Sequence, residues 1–147
     1  MLRAKAAIFV LEQIPQAVVD QLLSASSATL KKPGGLAIHA IDYSDRCARS
    51  HAGLSRFYFL TYIAAKWQRY NPSMRYVDRL RRSQFQRLFR EDGYDLVLDQ
   101  PTDRPAEPEV IARLAPEFSA FERDDLFTLR SWLGAGPRTA SQLAAAA

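Results

Sequence analysis

Apolar positions along this chain fall into short runs and stripes that read as alternating strands and helices. Ala6 to Leu11 is an apolar run holding Ile8, Phe9 and Val10, and it predicts a buried strand. Pro15 suits the first position of a helix, where its missing N–H costs nothing. Val18, Val19, Leu22, Leu23 and Leu30 give that helix an apolar stripe to about Lys32. Lys31-Lys32-Pro33-Gly34-Gly35 then predicts a stop and a tight turn. Lysines favour the negative end of the helix, proline cannot continue it, and glycine admits a positive φ. Leu36 to Ile41 follows as an apolar run that predicts a strand covered on both faces, with Asp42 at its carboxyl end. Strand, helix, turn and strand form a βαβ unit, so the two strands are expected to be parallel.

The second half is read in the same way. Leu54 to Tyr70 is dense in apolar and aromatic residues, and Phe57, Leu60, Tyr62, Ile63 and Trp67 permit helical spacing. One or two helices lying over the strand ends are expected there, broken by Asn71-Pro72-Ser73. Ser83 and Gln86 fit a capping box for a helix that buries Phe85, Leu88 and Phe89 and closes at Gly93. Tyr94 to Leu98 suits a strand, Pro101 to Pro108 a surface loop, and Glu109 to Leu114 a short helix. Phe127 to Leu133 alternates apolar with polar, which predicts a strand exposed on one face. From Gly134 the chain is rich in Gly, Pro and Ala and reads as a flexible tail over 134–147.

Composition narrows the class. The 147 residues are 48% apolar, enough for one core, and the longest apolar runs fall well short of the roughly 20 residues a membrane span needs. Met1 to Leu11 has the outline of a signal peptide, but Glu12 interrupts it early, so a cytoplasmic setting is the default. The lone Cys47 excludes an internal disulfide framework and a cysteine-rich zinc site, and no metal is expected. The net charge of +4 is segregated: Arg46 to Arg90 holds eleven Lys/Arg against one acid, and Glu91 to Asp125 eleven acids against three arginines. Either the two segments complement each other after folding, or the basic one faces an anionic partner. Stacking aromatics are not regularly interleaved with the basic residues, which argues against nucleic acid.

Ligands of open α/β sheets sit outside the carboxyl ends of the strands, which singles out Asp42 and the Tyr43-Ser44-Asp45-Arg46 that follows it. Asp42 and Asp45 are candidate general bases; the alternatives are that Asp42 caps the next turn and Asp45 pairs with Arg46 or Arg49. His39 reads as a core residue and His51 as a surface one. Trp67 is read as core or as a pocket wall. Arg79 and Arg81 of the basic segment are candidates for holding an anionic or hydroxyl-rich ligand, against an ion-pair cluster with Asp78.

Taken in order, Phe9-Val10-Leu11-Glu12-Gln13-Ile14-Pro15, the Lys-Pro-Gly-Gly turn, Ile41-Asp42-Tyr43-Ser44-Asp45, Trp67, Tyr76-Val77-Asp78-Arg79-Leu80-Arg81 and Leu88-Phe89-Arg90-Glu91-Asp92-Gly93-Tyr94 resemble the carboxyl-terminal half of a class I S-adenosylmethionine (SAM)-dependent methyltransferase. The resemblance implies an α/β fold: a partial Rossmann-like sheet of the later strands with helices, lacking the N-terminal nucleotide-binding half. The strand near Leu133 would run antiparallel between those at Leu36 and Asp95. It divides the chain into residues 1–133, with a helical acceptor-side insertion at about 46–82, and the tail. It implies that Val10, Leu11, Glu12 and Gln13 lie beside SAM and that Tyr43, Arg46, Trp67, Tyr76, Arg79 and Arg81 face a small-molecule or sugar-like acceptor. The family more often has histidine at the positions of Gln13 and Arg46, and asparagine at that of Asp78. No Gly-x-Gly-x-Gly turn is present, so the chain is expected to be inactive alone and to pair with a second copy, or with a chain carrying the missing half, through strand 6–11. The competing expectation is a non-enzymatic module holding an anionic partner on its basic surface.

Overall fold

The computed structural model describes residues 4–30, 35–103 and 105–138. It is an α/β fold whose four strands lie in the order β1-β2-β4-β3. The strands are β1 (Ala4–Ile8), β2 (Leu36–Asp42), β3 (Tyr94–Thr102) and β4 (Arg130–Pro137). β1 pairs parallel with β2, while β4 runs antiparallel to both β2 and β3. The helices are α1 (Gln16–Leu30), α2 (Ala64–Tyr70), α3 (Arg82–Glu91), α4 (Pro108–Ile111) and α5 (Arg123–Leu126). None is long and apolar enough to cross a membrane among the described residues.

Two apolar clusters hold these elements. Val19, Leu23 and Leu30 of α1 and Phe85, Leu88 and Phe89 of α3 pack with Ala37 and Ile41 of β2 and Leu133 of β4. The second cluster joins Phe57, Phe59 and Leu60 to Val110, Phe118, Leu126 and Phe127, under the long connections. The expectation that β2 is covered on both faces holds only for its carboxyl-terminal half, where Ala40 and Asp42 are buried along with His39 and Ile41. Both helices cover the face of Ala37 and Ile41, whereas on the opposite face Ile38 is half-buried and Trp132, opposite Ala40, is 41% exposed. The stripe of α1 is likewise narrower than read, since Val18 and Leu22 are exposed.

Several boundaries differ from the sequence reading, each for a physical reason. β1 stops at Ile8 rather than Leu11, because Phe9 turns to φ +54° and Leu11–Gln13 winds into a 3-10 turn. Gly35 is needed for close approach: a Cβ there would meet the Leu30 carbonyl oxygen at 2.4 Å. Lys31 to Gly34 of the predicted turn, Met1 to Arg3 and residues 139–147 of the predicted tail lie outside the described residues. The one or two helices expected over 54–70 are a 3-10 turn at Tyr58–Thr61 and an α-helix over Ala64–Tyr70.

The capping box of α3 is shifted. Arg81 is its N-cap and donates its N–H to Gln84 Oε1 at 2.8 Å, while Ser83 N–H donates to Asp125 at 2.8 Å. Gly93 closes the helix with φ +79°, as read. β3 continues through Pro101, which an edge strand tolerates because no ladder bond is lost there. The largest correction is the predicted tail: Gly134 to Pro137 belong to β4. That strand lies between two partners as far as Ala135, and Gly136 and Pro137 continue it along β3, so ladder bonds rather than solvent satisfy its backbone groups.

Candidate functional site

The carboxyl end of β2 carries a saturated carboxylate. Asp42 is buried, and its Oδ1 accepts from Ser44 N–H at 2.9 Å and Ser44 Oγ at 2.5 Å. Its Oδ2 accepts from Arg49 Nη2 at 2.5 Å and from Arg130 Nε at 3.2 Å. A carboxylate offers about four lone-pair sites, so none is left over for a substrate proton. Asp42 is thus the hub that ties β2, the following loop and β4 together. Asp45 is buried as well; its Oδ1 accepts from Cys47 N–H at 2.8 Å, in place of the expected pairing with Arg46 or Arg49. Burial pushes its carboxyl above the usual range.

A second group lies one loop away and is not saturated. The N–H of Asp78 donates to the carbonyl of Glu12 at 2.9 Å, which joins the loop after β1 to the loop before α3. Both side chains are buried, at 2% exposure for Glu12 and 6% for Asp78. Neither carboxylate oxygen of Glu12 meets a hydrogen-bond partner, nor does Asp78 Oδ2. A buried acceptor left without a donor costs about 1–3 kcal/mol, so such oxygens need a proton or a ligand group. Burial, with Glu12 alongside, raises Asp78 to about 8, against the opposing pull of Leu80 N–H and Arg81. Glu12 is raised for the same reason, with Asp42 adding to the effect and Arg46 opposing it. Asp78 is therefore a neutral carboxyl near neutral pH, able to donate as well as accept. This corrects its expected place in a surface ion-pair cluster.

Asp78 lines a cavity of about 430 Å³ with Gln16, Tyr76, Arg79, Gln84 and Phe118. A larger cavity, of about 550 Å³, lies elsewhere, between Leu54–Arg56 and the loop of Asp103 and Glu107. The buried polar atoms without partners belong to Glu12, His39, Trp67 and Asp78, none of which lines it. The smaller cavity therefore has the stronger claim.

The structure separates the other candidates. Tyr76 and Arg79 reach the cavity. Arg79 Nη2 pairs with Glu117 at 2.9 Å, Nη1 donates to the carbonyls of Phe59 (3.3 Å) and Tyr62, and the guanidinium lies 4.9 Å over the Phe118 ring. Arg81 is wholly buried, with Nε donating to Arg79 O (3.0 Å) and Nη1 and Nη2 both to Tyr43 O (3.2 Å). Its guanidinium is a cross-link between backbone segments, so contact with a ligand does not fit its placement. Tyr43 is buried too, sharing a 2.6 Å hydrogen bond with Ser131 Oγ. Trp67 packs edge-on to Phe59 at 5.5 Å, on the rim of the second cluster.

At the cofactor-side segment Leu11 and Glu12 are buried, Val10 is exposed, and Gln13 is half-buried with Nε2 donating to Phe9 O. Arg46 is half-buried and within electrostatic reach of Glu12. His39 is buried with Nδ1 unpartnered. His51, an exposed loop residue, holds Cys47 O through Nδ1 at 2.9 Å.

Arg130 was not singled out from sequence, and Arg49 and Phe9 were named there only as a partner of Asp45 and as part of an apolar run. Arg130 pairs with Asp42 and lies 5.5 Å over the ring of Phe9, and Arg49 completes the Asp42 cluster. Phe9 holds a positive φ, uncommon for a bulky side chain and often found near functional sites. Apolar periodicity gives no signal for any of these, because each role depends on a long-range contact. Among the described residues no three His, Cys, Asp or Glu side chains are placed to hold a metal ion. No protein-family model and no curated protein matches this chain.

Proposed function

We propose that this chain is the acceptor-holding half of a SAM-dependent methyltransferase-like unit, and that its acceptor is a small molecule or sugar-like compound. The single observation that carries the reading is the antiparallel β4 seated between β2 and β3, with the polar loops after β1 and β2 at the strands' carboxyl ends. That is the strand arrangement the resemblance implies, and ligands of such sheets lie outside those ends.

The residues present do not fit SAM by themselves. Leu11 and Glu12 are 1% and 2% exposed, so the segment assigned to the cofactor offers little surface to a nucleotide. The sequence also lacks a Gly-x-Gly-x-Gly turn for close backbone approach. The chain's own part is to bind the acceptor, orient it and exclude water. An anion-binding module has less support at the cavity of Asp78, since Arg79, the cation that lines it, is paired with Glu117.

The test has two arms. Calorimetric titration with SAM is expected to show no saturable binding near a Kd of about 1 μM, roughly −8 kcal/mol. Ligand-observed NMR against a panel of small hydroxylated compounds, neutral and anionic, is expected to find saturable binding weakened by Tyr76→Ala. Tight SAM binding would make the chain a complete cofactor-binding unit, and no binding by any panel member would remove the acceptor role.

A further inference from the structure

We infer that the cavity lined by Gln16, Tyr76, Asp78, Gln84 and Phe118 takes an uncharged, polyhydroxylated ring, with the Asp78 carboxyl as its hydrogen-bonding anchor. This rests on the acceptor-side reading and narrows it to one class of ligand. The resemblance leaves an anionic acceptor open, and the charges around the cavity argue against one.

Arg79 is the cation lining this cavity, and Glu117, which also lines it, takes one of its nitrogens at 2.9 Å. Carbonyls of Phe59 and Tyr62 take another. The neighbouring Arg81 is wholly buried and spends its donors on main-chain oxygens. An incoming phosphate or carboxylate would therefore meet an Arg79–Glu117 pair already neutralised, with no free cation among the described lining residues to balance it. Arg82 is not a substitute: its guanidinium forms a two-point pair with Asp99, at 2.8 and 2.5 Å.

What the cavity does offer is suited to hydroxyl groups. Asp78 Oδ2 is buried without a partner, and the carboxyl, protonated near neutral pH, can donate and accept. Tyr76 adds a phenol, and Gln16 and Gln84 add amides, one of which already spends its Oε1 on the Arg81 N–H. Phe118 and Phe121 supply flat apolar walls for the C–H face of a ring. At about 430 Å³ the space lies in the range of small-molecule sites.

The probes are methyl α-glucopyranoside and glucose 6-phosphate, each titrated into the full chain and followed by saturation-transfer NMR. The neutral sugar is expected to bind at least tenfold more tightly than the phosphate. Asp78→Asn is expected to weaken it about tenfold and Tyr76→Phe about threefold, with melting temperatures recorded to show that both variants fold. Equal or tighter binding of the phosphate overturns the inference and leaves the acceptor-side reading standing. So does unchanged binding by folded Asp78→Asn. Binding of neither sugar overturns the inference, while the acceptor-side reading falls only if the wider panel also fails.

Discussion

The backbone N–H of Asp78 donates to the carbonyl oxygen of Glu12 at 2.9 Å, joining two residues whose carboxyl side chains are both buried and of which Glu12 helps to raise Asp78. The pairing links the loop after β1 to the loop before α3, and like charges so placed cannot both ionise cheaply. Chemistry and stability therefore meet at the same residues.

Asp78 is raised from 3.8 to about 8, so between these values the native state binds a proton that the unfolded chain has released. Its contribution to stability is present below pH 3.8 and is lost as pH rises through about 8. We expect Asp78→Asn to melt several degrees above the parent at pH 9 and close to it at pH 4, in thermal denaturation followed by circular dichroism. A parallel pair of curves across that range would show that Asp78 does not hold the proton.

His39 has the opposite sign on the acid side. Burial lowers it from 6.5 to about 4, so the unfolded state binds the extra proton as pH falls between those values. Stability present above pH 6.5 is lost on the way to pH 4, by an amount on the order of 3 kcal/mol. His39→Leu is expected to shift the acid-unfolding midpoint downward while changing stability at pH 7 by less than about 2 kcal/mol. Above pH 6.5 His39 is neutral in both states, so the Asp78 effect can be measured there alone.

Arg81 and Arg87 stand on the same basic segment but should behave differently. Arg81→Ala strands the Tyr43 and Arg79 carbonyls and empties a buried volume, at a cost of about 3–5 kcal/mol. With each kcal/mol worth about 2–4 °C in a chain of this size, Tm should fall by about 10 °C. Arg87 forms an exposed 3.6 Å pair with Glu91, and Arg87→Ala should change stability by less than about 0.5 kcal/mol. Equal effects in denaturant titrations would contradict the cross-link role of Arg81.

Gly134 tests the extension of β4. A Cβ there would meet Leu98 Cβ at 2.8 Å, an atom fixed to the backbone of the neighbouring strand, beside the register shift between Leu96 and Leu98. Overpacking of about 1–3 kcal/mol outweighs the few tenths gained by removing a glycine from the unfolded chain. Gly134→Ala should therefore lower the urea midpoint without changing the slope. In a flexible tail the same substitution would be neutral or mildly stabilising.

Local pattern was enough to determine much of the fold. The 15-residue α1 with Pro15 before it, the apolar β2 ending at Asp42, the buried face of α3 and the strand at Tyr94 depend on residues near one another in sequence, where periodicity reports burial directly. Tyr76 and Arg79, which the family resemblance put on the acceptor side, line one cavity. Tertiary structure decided the rest, because the deciding partners are distant in the chain. Gly134 to Pro137 form a strand only because β3 pairs with all of them and β2 with Gly134 and Ala135, which satisfies their backbone groups. Ser83 caps nothing because Asp125 captures it, and Arg81 became a buried cross-link because Tyr43 and Arg79 present carbonyls to it. Asp42 reads in sequence either as a base at a strand end or as the cap of the next turn; Ser44 N–H bonds to it in the second way, and Arg49 and Arg130 close off its other oxygen. Asp78 was hidden in a run of arginines, and its role came from desolvation and from Glu12, neither of which is written in the residues beside it.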